Sequence, residues 1–282
     1  MNKNIIRIIP KLDIKNGLLI KGINLEGLRV IGNPYEFANF YYECGADEIA
    51  YVDNVATLYG TNNLQKFIKN TAKNIFIPLS VGGGIRSIKD IEEILKNGAD
   101  KICINSAAID NPKFITEASK RFGSANISSI IVVIKIKKSY FISKSNGRDL
   151  IKMNPVDWAK KVEEMGSGEI FLTSVNKEGL KSGFDIEIIK KIAENVSIPV
   201  IAHGGAGNFM DIYNVIKSTS ISGVSISGLF HYAFIRHSKS IIKRSIGNYE
   251  FLNSIKKHKK KPENLILKLK KFLNKKKINV RM

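Results

Sequence analysis

Eight short apolar runs recur along the chain: IIRIIP (5–10), EIAYVD (48–53), IFIPLSV (75–81), KICIN (101–105), IIVVIKI (130–136), EIFLTS (169–174), IPVIA (198–202) and GVSIS (223–227). Runs rich in Ile and Val without polar alternation suit strands covered on both faces, as in a parallel sheet built from βα units. Amphipathic segments lie between them. In SIKDIEEILK (87–96), Ile88, Ile91, Ile94 and Leu95 fall on one helical face. Eight such strands predict a (β/α)8 TIM barrel.

The chain also repeats itself. GADEIAYVD (45–53) aligns with GSGEIFLTS (166–174) at an offset of 121, and Ile77-Pro78 with Ile198-Pro199 and Gly83-Gly84 with Gly204-Gly205 at the same offset. One offset held over three separate segments implies two similar half-barrels of four βα pairs each. An open doubly wound sheet is the alternative, but its phosphate loop normally occurs once, after the first strand.

Composition adds bounds. The 282 residues are 44% hydrophobic and 25% charged, enough to bury a large core. The formal charge of +20 is uneven: residues 238–282 hold 15 of the 45 Lys and Arg but 2 of the 25 Asp and Glu. The organisation expected is therefore a barrel over 1–237 and a basic extension over 238–282, partly helical and supplying the closing helix. The extension contains KKHKKK (256–261) and an amphipathic stretch at 265–273 whose polar side could meet RNA or a membrane surface. Lys, Ile and Asn are abundant throughout, as an AT-rich genome produces, so no specific nucleic-acid partner is expected. Cys44 and Cys103 have neither metal-ligand nor disulfide-framework spacing. No apolar run approaches the length that crosses a bilayer. A cytoplasmic protein without cofactor or metal is the expectation.

Each half carries a glycine loop directly after a strand, VGGG (81–84) and AHGGAG (202–207). Glycine lets backbone approach an anion closely, and helix N-termini add aimed N–H groups. Two loops related by the repeat predict a ligand with a phosphate at each end. The strand ends beside them offer Asn105, Ser106, Ser227 and the backbone of Gly228.

The segments LDIKNG (12–17), IKG (20–22), SVGGGI (80–85), GADKICINS (98–106) and LTSVNKEGLKSGFD (172–185) resemble the HisF-type cyclase subunit of imidazole glycerol phosphate synthase. The resemblance runs from about residue 5 to 232 and resumes at INVR (278–281). The LTS…EG.KSGFD stretch separates this family from the sister isomerase of histidine biosynthesis, which shares the half-barrel repeat. The resemblance implies a heterodimer with a glutaminase docked on the N-terminal face of the barrel. Ammonia released there crosses the barrel and attacks phosphoribulosyl formimino aminoimidazole carboxamide ribotide. The products are imidazole glycerol phosphate and aminoimidazole carboxamide ribotide. Two carboxylates, at the ends of the first and fifth strands, serve as general acid and base.

Carried over residue by residue, the resemblance makes Asp13 the first carboxylate. The fifth-strand motif corresponds to VIKIK (133–137), which puts Lys135 where the second should stand, and an Asp13–Lys135 ion pair is the expectation. Arg7, Ile9, Lys11 and Asp13 should share the inward face. Lys11 stands where the family usually carries a small uncharged residue, and its available partners are Asp13 and Asp53. Arg7, Glu48, Lys101 and Glu169 match the charged ring of an ammonia gate, although such a ring could equally be a satisfied cluster closing the barrel floor. Gly83, Gly84, Asn105, Ser106, Gly179, Gly204, Gly205, Ser227, Gly228 and Lys21 are the phosphate-binding candidates. Asn176 and Glu178 replace the family's usual aspartates, and Gly228 replaces a common serine. His203 is expected to be incidental, and Trp158 to be helix packing.

Two readings stay open. In the first the chain is the cyclase subunit, with Asp13 as acid or base. In the second it is a cyclase-deficient paralogue, an ammonia-conduit subunit that works with a glutaminase in amidination of a surface sugar. Lys11 and Lys135 favour the second; the phosphate loops, Asp13 and Lys21 favour the first.

Overall fold

The computed structural model describes residues 5–56, 65–237, 249–255 and 264–282. Among the described residues twelve strands form one sheet. Eight are parallel: β1 (Arg7–Lys15), β4 (Ile49–Asp53), β5 (Leu79–Gly82), β6 (Lys101–Ile104), β7 (Ile127–Ile136), β10 (Glu169–Ser174), β11 (Val200–His203) and β12 (Gly223–Ile226). Each coincides with one of the eight apolar runs. Pairing of β7 with β10, Glu169 opposite Ser128 through Ser174 opposite Val133, closes the cylinder. The sheet is therefore a (β/α)8 barrel, and the open doubly wound alternative is excluded.

The repeat extends into the helices. Helix Ile88–Lys96 begins with a capping box, in which Ser87 Oγ accepts from Asp90 N at 3.1 Å and the Asp90 carboxylate accepts from Ser87 N at 2.9 Å. Helix Phe209–Ser218 begins identically with Asn208 and Asp211, 121 residues on. Both caps satisfy backbone donors that would otherwise lack partners. Ile91 and Ile94 are buried, as the periodicity requires, and Trp158 packs in the core from helix Pro155–Glu164.

Two antiparallel additions were not legible in the apolar pattern. β2 (Leu18–Ile23) and β3 (Glu26–Gly32) form a hairpin turned at Asn24 and Leu25, with φ of 52° and 63°. It lies against the sixth barrel loop through a bond from Asn24 N to Glu178 O of 2.8 Å. β8 (Ser139–Lys144) and β9 (Asp149–Ile151) extend β7 beyond the barrel rim.

The end of the chain folds back onto the barrel floor. Helix Leu265–Lys275 buries Ile266, Leu269 and Leu273, so its apolar side is committed to the core. Lys270 is buried as well, and its Nζ meets Asp47 Oδ1 at 2.6 Å and Gly45 O at 2.7 Å. The second Asp47 oxygen accepts from Ile8 N at 2.8 Å, and Val280 bridges to Ile6 alongside β1. The basic run 256–261 and residues 238–248 lie outside the described residues. Replacing Lys270 with Met leaves Asp47 without its buried cation. Such a loss should cost about 3 kcal/mol, read as a lower urea midpoint at unchanged m-value.

Candidate functional site

Side chains on a strand alternate between faces, so a closed barrel stacks its inward residues in layers. The lowest layer is charged. Arg7 donates to Glu48 at 2.8 Å and also to Glu169, while Lys101 meets Glu48 at 2.9 Å and Glu169 at 3.2 Å. The four residues close a ring of alternating charge, supported by Ser80 Oγ donating to Glu48 at 2.6 Å. Burial pushes the Arg7 guanidinium down, but the two glutamates outweigh this and hold it above its ordinary value. Above the ring sits an apolar layer of Ile9, Ala50, Cys103, Phe171 and Ile201, packed with Ile130.

The mouth lies above that layer, and Lys11 and Asp13 face it from β1. Both are buried and form an ion pair, and Asp13 also accepts from Asn54 Nδ2 at 2.9 Å. Burial raises the Asp13 carboxyl, but Lys11 and then Lys21 overcome this and keep it below the usual carboxylate range. Asp53, the other partner considered for Lys11, instead accepts from the backbone of Val55 and Ala56.

Lys135 is not in the mouth. It lies one residue before the end of β7 pointing outward, pairs with Glu187 at 2.7 Å and lies over the Tyr140 ring, so the expected Asp13–Lys135 pair does not form. The inward residues of β7 are even-numbered: Ile130 sits in the apolar layer, and Val132 pairs with Thr173 and lines the cleft above. The mouth position on the fifth barrel strand is thus Val132, with neither a carboxylate nor a lysine.

Two clefts flank the mouth. The first, of about 320 Å³, is lined by Gly83, Gly84, Asn105 and Ser106, with Lys11, Val132 and Thr173. The second, of about 210 Å³, is lined by Lys21, Gly179, Gly204, Gly205, Ser227 and Gly228, with Lys181, His203 and Arg236. All ten phosphate-binding candidates therefore fall into these two clefts, four in one and six in the other. The glycines are required by geometry. At Gly83, φ is +105° and a Cβ would lie 2.3 Å from Asp53 O; at Gly204, φ is +97° and a Cβ would lie 3.0 Å from Ser174 O. Asp53 and Ser174 are themselves 121 residues apart.

Lys21 does not face the second cleft unaccompanied. The β2–β3 hairpin carries it into a buried ion pair with Glu178, whose other oxygen lies 3.2 Å from His203 Nε2. Burial opposes ionisation of Glu178, yet Lys21 and His203 hold it well below its ordinary value. Sequence reasoning noted Glu178 as a departure but missed this network, whose partners are 157 residues apart. Among the described residues no group of three or more His, Cys, Asp or Glu is arranged to hold a metal ion.

A closed (β/α)8 barrel of two similar halves, with a charged floor and paired glycine clefts at the C-terminal ends of its strands, defines the class. Residues 7–236 match the family model described as histidine biosynthesis protein, and the chain belongs to that family. It is 50% identical over 206 residues to the imidazole glycerol phosphate synthase subunit HisF of Legionella pneumophila, covering 72% of this chain and 96% of that one. The subunit of the same name from Sulfurisphaera tokodaii is 45% identical over 230 residues, covering 82% and 92%. That of Bacillus cereus is 44% identical over 230 residues, covering 80% and 90%.

One buried group near the mouth predicts a pH effect. His231 is fully buried, with Nδ1 2.6 Å from Tyr41 Oη, and burial, reinforced by the Lys21 charge, pushes it down to about 3. An unfolded histidine titrates near 6.5, so as pH falls below that value the unfolded state takes the proton first. Stability should drop by up to about 1.4 kcal/mol per pH unit below pH 6.5 from this residue. Urea unfolding at pH 7, 6 and 5 should show that slope reduced in His231→Phe.

Proposed function

We propose that the chain is the cyclase subunit of an imidazole glycerol phosphate synthase, working in histidine biosynthesis in the cytoplasm. In this reading residues 1–237 form the catalytic barrel, and 238–282 the extension that closes it. A glutaminase docks on the N-terminal face, where the Arg7, Glu48, Lys101 and Glu169 ring admits ammonia. The ammonia crosses the apolar layer to a bisphosphorylated ribotide held between the two glycine clefts, where Asp13 acts as acid or base. The observation that carries the reading is the alignment of three parts on one axis: ring below, apolar lumen between, paired clefts above. The names of the similar proteins support the same assignment.

The direct test uses purified protein, ammonium salt and the ribotide, with product followed by absorbance or chromatography. Turnover is expected, and Asp13→Asn should lower kcat on the order of 100-fold or more, as loss of a general acid or base does. The ring is tested separately. With a glutaminase present, Glu169→Gln should depress glutamine-dependent turnover while leaving ammonium-dependent turnover near the wild-type rate.

One observation favours a second reading. Val132 stands where a second carboxylate would be needed, as expected of a conduit subunit that passes ammonia on without cyclase chemistry. Glutaminase stimulation without ribotide turnover, even at high ammonium, would select that reading.

A further inference from the structure

The mouth lacks a carboxylate on the fifth strand but contains an ionisable pair, Lys11 and Asp13, in direct contact on the first. Lys11 lines the first cleft beside Val132 and Thr173 and lies one inward position above Ile9 in the apolar layer. An ammonia molecule leaving that layer therefore meets Lys11 first, with Asp13 in contact with it one inward position further along β1. We propose that Lys11 is the proton donor that stands in for the missing second carboxylate, with Asp13 as the base beside it. The proposal rests on the cyclase reading.

The contact between the two side chains sets these roles, with the Lys11 Nζ donating to the Asp13 carboxylate. An ammonium carries its proton at neutral pH without any tuning, whereas a carboxylic acid must be pushed upward to do so. Lys11 interacts with Asp13 on β1 and with Glu178 in the sixth loop and shares its cleft with Asp53 on β4, while Lys21 on β2 and His203 on β11 act on Asp13. Asn54 Nδ2 donates to Asp13 Oδ1, the same oxygen that Lys11 meets.

The proton count closes in two rounds. In the first, the ammonia nitrogen bonds the ribulosyl keto carbon, and the carbonyl π electrons move onto oxygen, which takes the Lys11 proton. Asp13 takes a proton from the new nitrogen. Because the two side chains touch, that proton passes from Asp13 to Lys11 and restores the starting pair. In the second round Lys11 protonates the hydroxyl, the C–O bond breaks to release water, and the nitrogen loses a proton to Asp13 as the imine forms. Ketone and ammonia become imine and water, with both residues reset.

The test is steady-state kinetics on the full chain with ammonium chloride and the ribotide. Lys11→Met should lower kcat on the order of 100-fold with KM within about threefold of wild type, the signature of a group acting in the transition state. Lys11→Met combined with Val132→Asp should regain at least about tenfold of that loss. Its kcat should also fall away at lower pH on the alkaline side, since a carboxyl surrenders its proton below an ammonium. A Lys11→Met enzyme with wild-type kcat overturns the role of Lys11 and leaves the cyclase reading intact. A wild-type chain that never turns over the ribotide overturns both.

Discussion

A closed barrel keeps its inward side chains largely from bulk water, so a charge on an inward strand position is stable only when matched by an opposite charge beside it. That constraint organises the axis of this protein. At the floor two cations meet two glutamates; at the mouth Lys11 meets Asp13, and Lys21 meets Glu178. Between them the axis is apolar. The floor ring draws its four residues from four barrel strands in both half-barrels, so it forms only when the cylinder is closed, whereas Lys11 and Asp13 are neighbours on β1. The same logic recurs outside the lumen, where Lys270 reaches Asp47 and ties the last helix to the floor.

Much of this was legible because it is periodic. Eight apolar runs mark eight strands, and the offset of 121 marks the half-barrels, the glycine loops and, in the structure, the helix caps Ser87 and Asn208. The floor ring was legible through the family resemblance, which named the four residues that the structure brings into contact. The hairpins were not. β2 and β3 depend on positive-φ turns at Asn24 and Leu25, and Leu25 carries no turn signal.

Register along β7 was the other loss. Its sequence, ISSIIVVIKI, is apolar on both faces through the middle, so nothing in the pattern says which residue reaches the mouth. The resemblance to the family's fifth-strand motif put Lys135 there. Pairing with β10 instead sets Val132 opposite Thr173, and the strand runs on past the rim to pair with β8. A strand's side chains change face at each residue, so displacement by an odd number turns an expected lumen residue outward. Lys135 lies three positions beyond Val132 and meets Glu187 at the surface.

The neutral pairing at the mouth bears on how an anionic ligand would be held there. Lys11 and Lys21 are each held by a carboxylate, so neither offers a whole uncompensated charge to an anionic ligand. An anion entering the clefts must be met largely by backbone N–H groups, by the favourable ends of helices and by cations at the rim such as Lys181 and Arg236. The glycines in these loops are fixed first by packing against the neighbouring strands. At Gly83 a Cβ would collide with β4, and at Gly204 it would press on β10, so a side chain would displace the strand that carries the site. The +20 charge of the chain is therefore a poor guide to how its ligand is held. Inside the mouth the lysines neutralise carboxylates, so an anionic ligand would fall to the backbone of the glycine loops.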